Sequence, residues 1–177
     1  MAQTKKALDS LKRQVQKDQK GRGTDSEKVA FIFAGDFNEE ADGAVCHLLN
    51  TGSIERCFRA PGWPETEVTK ADYSHNFALS DLYGSMCNRP HTFCAPPEES
   101  GGWGSQVLFG SVDFVFYSRE FLRPVSVRQP FTPEQTNMTC GVGIPSAWHF
   151  SDHVPIGGVL EFIMDVETLK QVAPVVV

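Results

Sequence analysis

An α/β fold with a layered sheet is predicted by three stretches of this sequence. Val29-Ala30-Phe31-Ile32-Phe33-Ala34 is a continuous apolar run that ends in Gly35-Asp36-Phe37-Asn38, the pattern of a fully buried central strand with polar groups at its tip. Ser111-Val112-Asp113-Phe114-Val115-Phe116-Tyr117 is a second run of the same kind. Residues 3–20 carry Leu8, Leu11 and Val15 at helical spacing among Lys, Arg and Gln, which predicts an amphipathic helix.

After the first helix, Gly21-Arg22-Gly23-Thr24-Asp25-Ser26 breaks the pattern and hands over to the first strand. Residues 42–50 predict a short helix with Val45, Leu48 and Leu49 inward, stopped at Thr51-Gly52. Residues 57–76, with Pro61 and Pro64, read as a long loop, residues 77–83 as a strand or edge segment, and residues 84–106 as a second irregular stretch. Order returns at Val107-Leu108-Phe109 and in the Asp113 run. Residues 122–128 predict a further strand, 130–148 a further loop, and Gly158–Ile163 the closing strand. The domain organisation is one unit: a leading helix and loop over 1–28, a motif-bearing core over 29–163 and a tail over 164–177.

Composition narrows the function classes. The 177 residues are 41% hydrophobic with a net charge of −6, so the chain is globular and long enough for a real core. Seven Lys or Arg against two Asp crowd residues 1–22, which reads as a solvated helix face and leaves the rest acidic. An acidic body does not suggest non-specific duplex binding, and it suits a carboxylate-lined site that needs a divalent cation. The five cysteines form no C-x-x-C pair. With no secretory leader and no long apolar run, the expectation is an intracellular, cytoplasmic protein without a membrane span. Asn137-Met138-Thr139 is then a chance match to a glycosylation acceptor.

Acid, amide and imidazole groups recur at strand-associated positions. Asp36 and Asn38 lie two apart, on one face of an extended chain, and Gly35 just before them permits a sharp turn or close approach. Asp113 sits inside an apolar strand, where a carboxylate must find a partner. His153, in Ser151-Asp152-His153-Val154-Pro155-Ile156, is the obvious one, because a buried carboxylate fixes an imidazole's tautomer and favours its charged form. Asp36, Asn38 and Asp152 supply hard oxygen ligands of the kind a magnesium site uses.

Gly35-Asp36-Phe37-Asn38, Val112-Asp113-Phe114-Val115-Phe116-Tyr117-Ser118 and Ser151-Asp152-His153-Val154-Pro155-Ile156, in that order, closely resemble the motifs of the endonuclease/exonuclease/phosphatase superfamily over residues 4–163. Within it, the aromatic Asp113 strand, Gly110 before it, and Leu79-Ser80-Asp81-Leu82-Tyr83, similar to an L-x-S-A-Y segment, point to the CCR4/nocturnin/angel group of poly(A)-directed exonucleases. The resemblance implies a DNase I-like four-layered α/β sandwich and a magnesium-dependent phosphodiesterase, with manganese as an alternative metal, acting on RNA 3′ ends or nucleotides. It implies that Asp36 orients or deprotonates the attacking water and Asn38 holds that water or a phosphate oxygen. Asp152 would join the metal shell, and His153, oriented by Asp113, would contact the scissile phosphate. Phe109 is the candidate for stacking on a base.

The resemblance also implies a departure. Family enzymes carry a further half upstream, including the Glu that is their principal magnesium ligand, and nothing in residues 1–28 matches it; Glu27 fits no motif. The expectation is therefore a C-terminal half, completed by an upstream segment or a second chain, nearly inactive alone, and self-associating through open sheet edges. Two alternatives stand beside deadenylation: a non-catalytic interaction module of the same fold, and a phosphatase or phosphodiesterase acting on a small phosphate ester or nucleotide.

Overall fold

A helix opens the chain and packs by a single stripe, as its spacing predicts. The computed structural model describes residues 2–22, 30–64, 68–84, 89–96, 108–129, 131, 135, 143–145 and 150–163. Helix α1 spans Ala2–Arg22, running through Gly21 where a break was expected. Leu8 is buried, Leu11 and Val15 are half-buried, and Lys5, Lys6, Lys12, Arg13, Lys17 and Lys20 face solvent. The basic excess is thus a solvated face, laced by an exposed Lys5–Asp9 pair at 3.1 Å that contributes little to stability.

The central element is a strand of Asp113–Ser118, β7, in a three-stranded antiparallel sheet. Its neighbours are β1 (Ile32–Asp36) on one side and β4 (Leu79–Asp81) on the other. Alternation along β7 sorts its side chains to two faces. Phe114 and Phe116 join Leu8 of α1, the inner residues of helix α2 (Ala44–Thr51) and Leu79 in the larger core cluster. Val115 and Tyr117 face Leu82, Tyr83 and the antiparallel pair β8 (Leu122–Val127) and β9 (Gly158–Phe162). Helices, main sheet and second sheet are three layers, with apolar clusters on both sides of β7.

Two polar ties join these layers. The Tyr83 hydroxyl lies 2.9 Å from the carbonyls of both Arg128 and Gly157. Asp81 pairs with Arg89, whose guanidinium lies 4.0 Å over the Phe114 ring, a cation–π contact beneath the strand that carries Asp113.

The run beginning at Val29 departs from expectation. Val29 lies outside the described residues, and Ile32–Asp36 is a strand at the edge of the sheet rather than a buried central one. Ile32 is 56% exposed. It sits opposite Tyr117, on the face covered by β8 and β9, and that layer covers Val115 and Tyr117 but not β1. Phe31 and Phe33 pack against the larger cluster on the other face, so the run is apolar throughout but covered on one side.

Two expected loops contain short strands. Within 57–76, β3 (Tyr73–Ser74) pairs with β2 (Ser53–Ile54), and within 84–106, β5 (Phe93–Ala95) pairs with β6 (Leu108–Gly110). Each is two or three residues long and owes its extension to its partner, which a local pattern does not reveal. Val107, most of 84–106 and 130–148, and the 164–177 tail lie outside the described residues. No helix among the described residues is long and apolar enough to cross a membrane.

Helix α2 ends as predicted at Gly52, whose φ of 84° is left-handed and whose N–H donates to the Leu48 carbonyl at 2.8 Å. His75 supports the same carbonyl through Nε2 at 3.0 Å, while its Nδ1 accepts the Phe77 N–H at 3.2 Å. Burial lowers the His75 pKa, which keeps this ring neutral. A Cβ at Gly52 would lie 3.1 Å from the His75 carbonyl oxygen, and left-handed backbone costs a non-glycine residue about 1–2 kcal/mol. Gly52→Ala should therefore lower the urea midpoint by the equivalent of about 1 kcal/mol with an unchanged m-value; an unshifted midpoint would count against this cap.

Candidate active site

The register of β1 on β7 sets Asp36 directly opposite Asp113 at the end of the sheet. One step further the ladder continues with the Phe37 N–H donating to the Val112 carbonyl at 2.9 Å. Then the chain turns at Asn38, with φ 53°, a left-handed conformation that Asn tolerates better than most residues. Asp36 stabilises that turn: Oδ1 accepts the Asn38 backbone N–H at 2.8 Å and Oδ2 the Asn38 side-chain amide at 3.2 Å. The acid and the amide are thus joined by a turn closed by a side chain, not by strand alternation, and Gly35 lies within the strand opposite Phe114.

The residues after Asn38 fasten this turn on both sides. Glu39 accepts the N–H groups of Val45 and Cys46 at the start of α2, where a carboxylate meets unpaired amides and the positive end of the helix. Burial raises the Glu39 pKa, and those N–H bonds work against the rise. Glu40 accepts the Ser111 N–H at 3.1 Å, linking the Asn38 turn to the segment that leads into Asp113.

His153 closes the cluster. Its Nδ1 lies 2.7 Å from Asp113 Oδ2, and its Nε2 lies 3.9 Å from Asp36 Oδ2. Backbone bonds seat its segment along β5: Cys94 N–H donates to the Asp152 carbonyl at 3.1 Å and Val154 N–H to the Thr92 carbonyl at 2.7 Å. Ser151 Oγ accepts the His153 N–H at 3.1 Å, and the Phe93 ring lies against the imidazole with centroids 5.4 Å apart. Burial works against a charged ring, but the Asp113 hydrogen bond and the charges of Asp113, Asp152 and Asp36 outweigh it, and the His153 pKa is raised. In its charged form the ring donates from Nδ1 to Asp113 and offers a second N–H at Nε2 beside Asp36. The side chains of His153 and Asp36 are 29% and 35% exposed, so a solvent-borne anion can reach that N–H.

Asp36, Asn38, Asp113 and His153 therefore converge, and Asp152 acts on the same imidazole through its charge. Asp113 is not enclosed as the apolar pattern suggested; it opens β7 and is half-buried. Phe109 stands apart. It is paired with Cys94, so it shares the face of β5 opposite Phe93, and it packs on Cys94, Ile144 and Val154 with its ring near His91. The aromatic at the imidazole is Phe93, which sequence reasoning missed inside an expected loop. Glu39 and Glu40 were also missed, although two carboxylates directly after Asn38 were a signal of turn fastening.

Asp36, Asn38 and Asp152 offer hard oxygens whose chemistry suits magnesium. Among the described residues, however, no group of three or more His, Cys, Asp and Glu is arranged to hold a metal ion. The donor chemistry of Asp36, Asn38 and Asp152, and not an assembled site, is what suits the ion.

No protein-family model matches the chain. It is 26% identical over 139 residues to the CCR4-Not complex 3'-5'-exoribonuclease subunit Ccr4 of Saccharomyces cerevisiae, a match covering 78% of this chain. The Kluyveromyces lactis protein of that name is 25% identical over 133 residues, covering 75% of the chain. Each match covers 15% of the relative's own length. The crystal structure of ANGEL2, described as a 2',3'-cyclic phosphatase in complex with adenosine-2',3'-vanadate, superposes with a TM-score of 0.52 at 18% identity. By sequence and by fold the chain is similar to the CCR4/angel-like group of the endonuclease/exonuclease/phosphatase superfamily. The ANGEL2 match covers 77% of this chain and 45% of that one. The likeness is one of fold, α/β and DNase I-like, represented here in part. In this chain the fold brings β1, β7 and the His153 segment to one end of the sheet.

Proposed function

We propose that this chain supplies the water-orienting and phosphate-binding part of a magnesium-dependent phosphodiesterase acting on RNA 3′ ends, poly(A) above all. The observation that carries the reading is the line Asp36, His153, Asp113 across two strand tips, with Asn38 locked to Asp36. Asp113 holds the imidazole so that Nε2–H points outward, where it donates to a non-bridging oxygen of the scissile phosphate. Asp36 accepts a proton from, or orients, the attacking water, and Asn38 fixes the orientation of that carboxylate. Asp36, Asn38 and Asp152 would contribute to holding a magnesium or manganese ion, whose chemistry is charge neutralisation on the phosphate and activation of water. Phe93, against the imidazole, is better placed than Phe109 to meet a base beside the phosphate. The Ccr4 relatives, named as 3'-5'-exoribonuclease subunits, support RNA as the substrate class.

Two rival readings each have an observation behind them. The ANGEL2 neighbour, a 2',3'-cyclic phosphatase by its description, favours a small cyclic phosphate ester. The lack of a metal-ready cluster among the described residues favours a non-catalytic module. The test is gel analysis of labelled oligo(A) and of an RNA ending in a 2',3'-cyclic phosphate, with magnesium or a chelator. It is run on the 177 residues alone and on the same residues joined to the remainder of a superfamily domain. The expected result is near inactivity alone and magnesium-dependent shortening of oligo(A) in the completed fold. Strong shortening by the 177 residues alone would overturn the partial-shell reading. Opening of the cyclic end without shortening would favour the phosphatase, and inactivity on both substrates in the completed fold would favour the module.

A further inference from the structure

Thr92 is fully buried, belongs to none of the motifs, and lies just before β5. Its side chain and backbone together tie three segments. The hydroxyl oxygen accepts two backbone N–H groups, those of Val112 and Asp113, each at 3.0 Å, which uses both of its lone pairs. The Thr92 N–H donates to the Gly110 carbonyl at 2.8 Å, and the Thr92 carbonyl accepts the N–H of Val154 at 2.7 Å. Gly110 ends β6, Asp113 begins β7, and Val154 follows His153. The two members of the acid–imidazole pair are 40 residues apart in sequence, and this one residue bonds to the backbone of Asp113 and to the residue next to His153.

We propose that Thr92 is a positioning residue, whose hydroxyl sets the backbone of Asp113 and so holds its carboxylate against His153 Nδ1. The physical argument is one of register. Asp113 lies opposite Asp36, but the next bond of that ladder is made by Phe37 to Val112. The amide of Asp113 is directed instead to the Thr92 hydroxyl, which anchors the first residue of β7 from the β5 side. A valine in that place would keep the shape and remove the acceptor, leaving two amides in a buried setting without a partner. The backbone would then move to satisfy them, and the 2.7 Å bond from His153 to Asp113 would lengthen or fluctuate. The catalytic consequence rests on the functional reading above; the positioning role does not.

The experiment compares Thr92→Val with Thr92→Ser by nuclear magnetic resonance on the full 177-residue chain. The signal followed is the His153 Nδ1–H proton, which a short bond to a carboxylate shifts far downfield and shields from solvent exchange. T92S, which keeps the acceptor, should retain that resonance, and T92V should lose or broaden it while the remaining amide spectrum stays dispersed. In a turnover-competent completed fold, T92V should lower kcat about tenfold or more and leave KM near its original value. Should T92V not fold, the unaltered chain still tests the idea. The amides of Val112 and Asp113 should exchange at least about tenfold more slowly than free-peptide amides, since the hydroxyl is their acceptor. A T92V chain that keeps the resonance as sharp as before would overturn the proposal, as would unprotected amides at these two residues. If the resonance responds as expected and the completed fold turns over no RNA, the positioning role stands and the functional reading fails.

Discussion

Asp113→Asn should lower turnover by about 10²- to 10⁴-fold in a form of the protein that cleaves its substrate, with the fold retained. An amide in this place can hold the ring only as a neutral partner, and it is free to offer its NH₂ to Nδ1 and select the wrong tautomer. The same substitution removes the largest influence that raises the His153 pKa, the Asp113 hydrogen bond, together with the charge behind it. The ring should then titrate at a lower pH than in the unaltered chain. The sign of the linked stability follows from the upward shift. The stabilisation from charged His153 is complete below the ordinary value of 6.5 and is lost as pH rises through the higher value of the folded protein. A urea midpoint followed from pH 5.5 to 8.5 should therefore fall through that window in the unaltered chain and fall less in D113N. Equal pH dependence in both chains, or D113N turnover within a few-fold of normal, would refute the assignment of the pair.

The largest stability effect should come from Phe116→Ala. Phe116 is fully buried on the central strand, with the rings of Phe37 and Phe114 each stacked 6.0 Å away, and the cluster around it reaches both helices. Truncating a buried Phe costs about 3–5 kcal/mol, a large share of the roughly 5–15 kcal/mol that keeps a domain folded. A melting temperature lower by about 10 °C, or failure to fold, is expected. Ile32→Ser, on the exposed face of β1, should shift the melting temperature far less. Similar shifts from both substitutions would mean that the stacked cluster is not the centre of stability.

What was legible in the sequence was what a short window contains. The β7 strand announces itself by an unbroken apolar run, and α2 by its inner residues and the glycine that ends it. The Asp113–His153 pair lies outside any such window, 40 residues apart, and was inferred from chemistry instead: a carboxylate in an apolar strand demands a partner, and an imidazole supplies one. Other features depended on residues far away in the chain. Ile32 belongs to an apolar run, yet its exposure is decided by how far the β8–β9 layer reaches. Tyr73–Ser74 and Phe93–Ala95 are too short to carry a pattern and are strands only because Ser53–Ile54 and Leu108–Gly110 lie beside them. Asp36 and Asn38 do come together, though through a left-handed turn rather than strand alternation. Phe109 was the base-stacking candidate that the resemblance implied, and the pairing of β5 with β6 turns it to the other face, leaving Phe93 beside the imidazole.

The exposed position of β1 bears on how the site could be switched on. Asp113 stands on an interior strand and His153 on a segment bonded along β5, whereas Asp36 rides on a strand whose outer edge has no partner among the described residues. A strand laid along that edge, from another part of the polypeptide or another molecule, would make main-chain bonds to β1 without touching a side chain of the Asp36–His153–Asp113 cluster. It would also restrain the twist of β1, the strand that holds Asp36 at 3.9 Å from His153. Assembly at the sheet edge and readiness of the acid would then be the same event, and a chain standing alone would be a latch without its bolt.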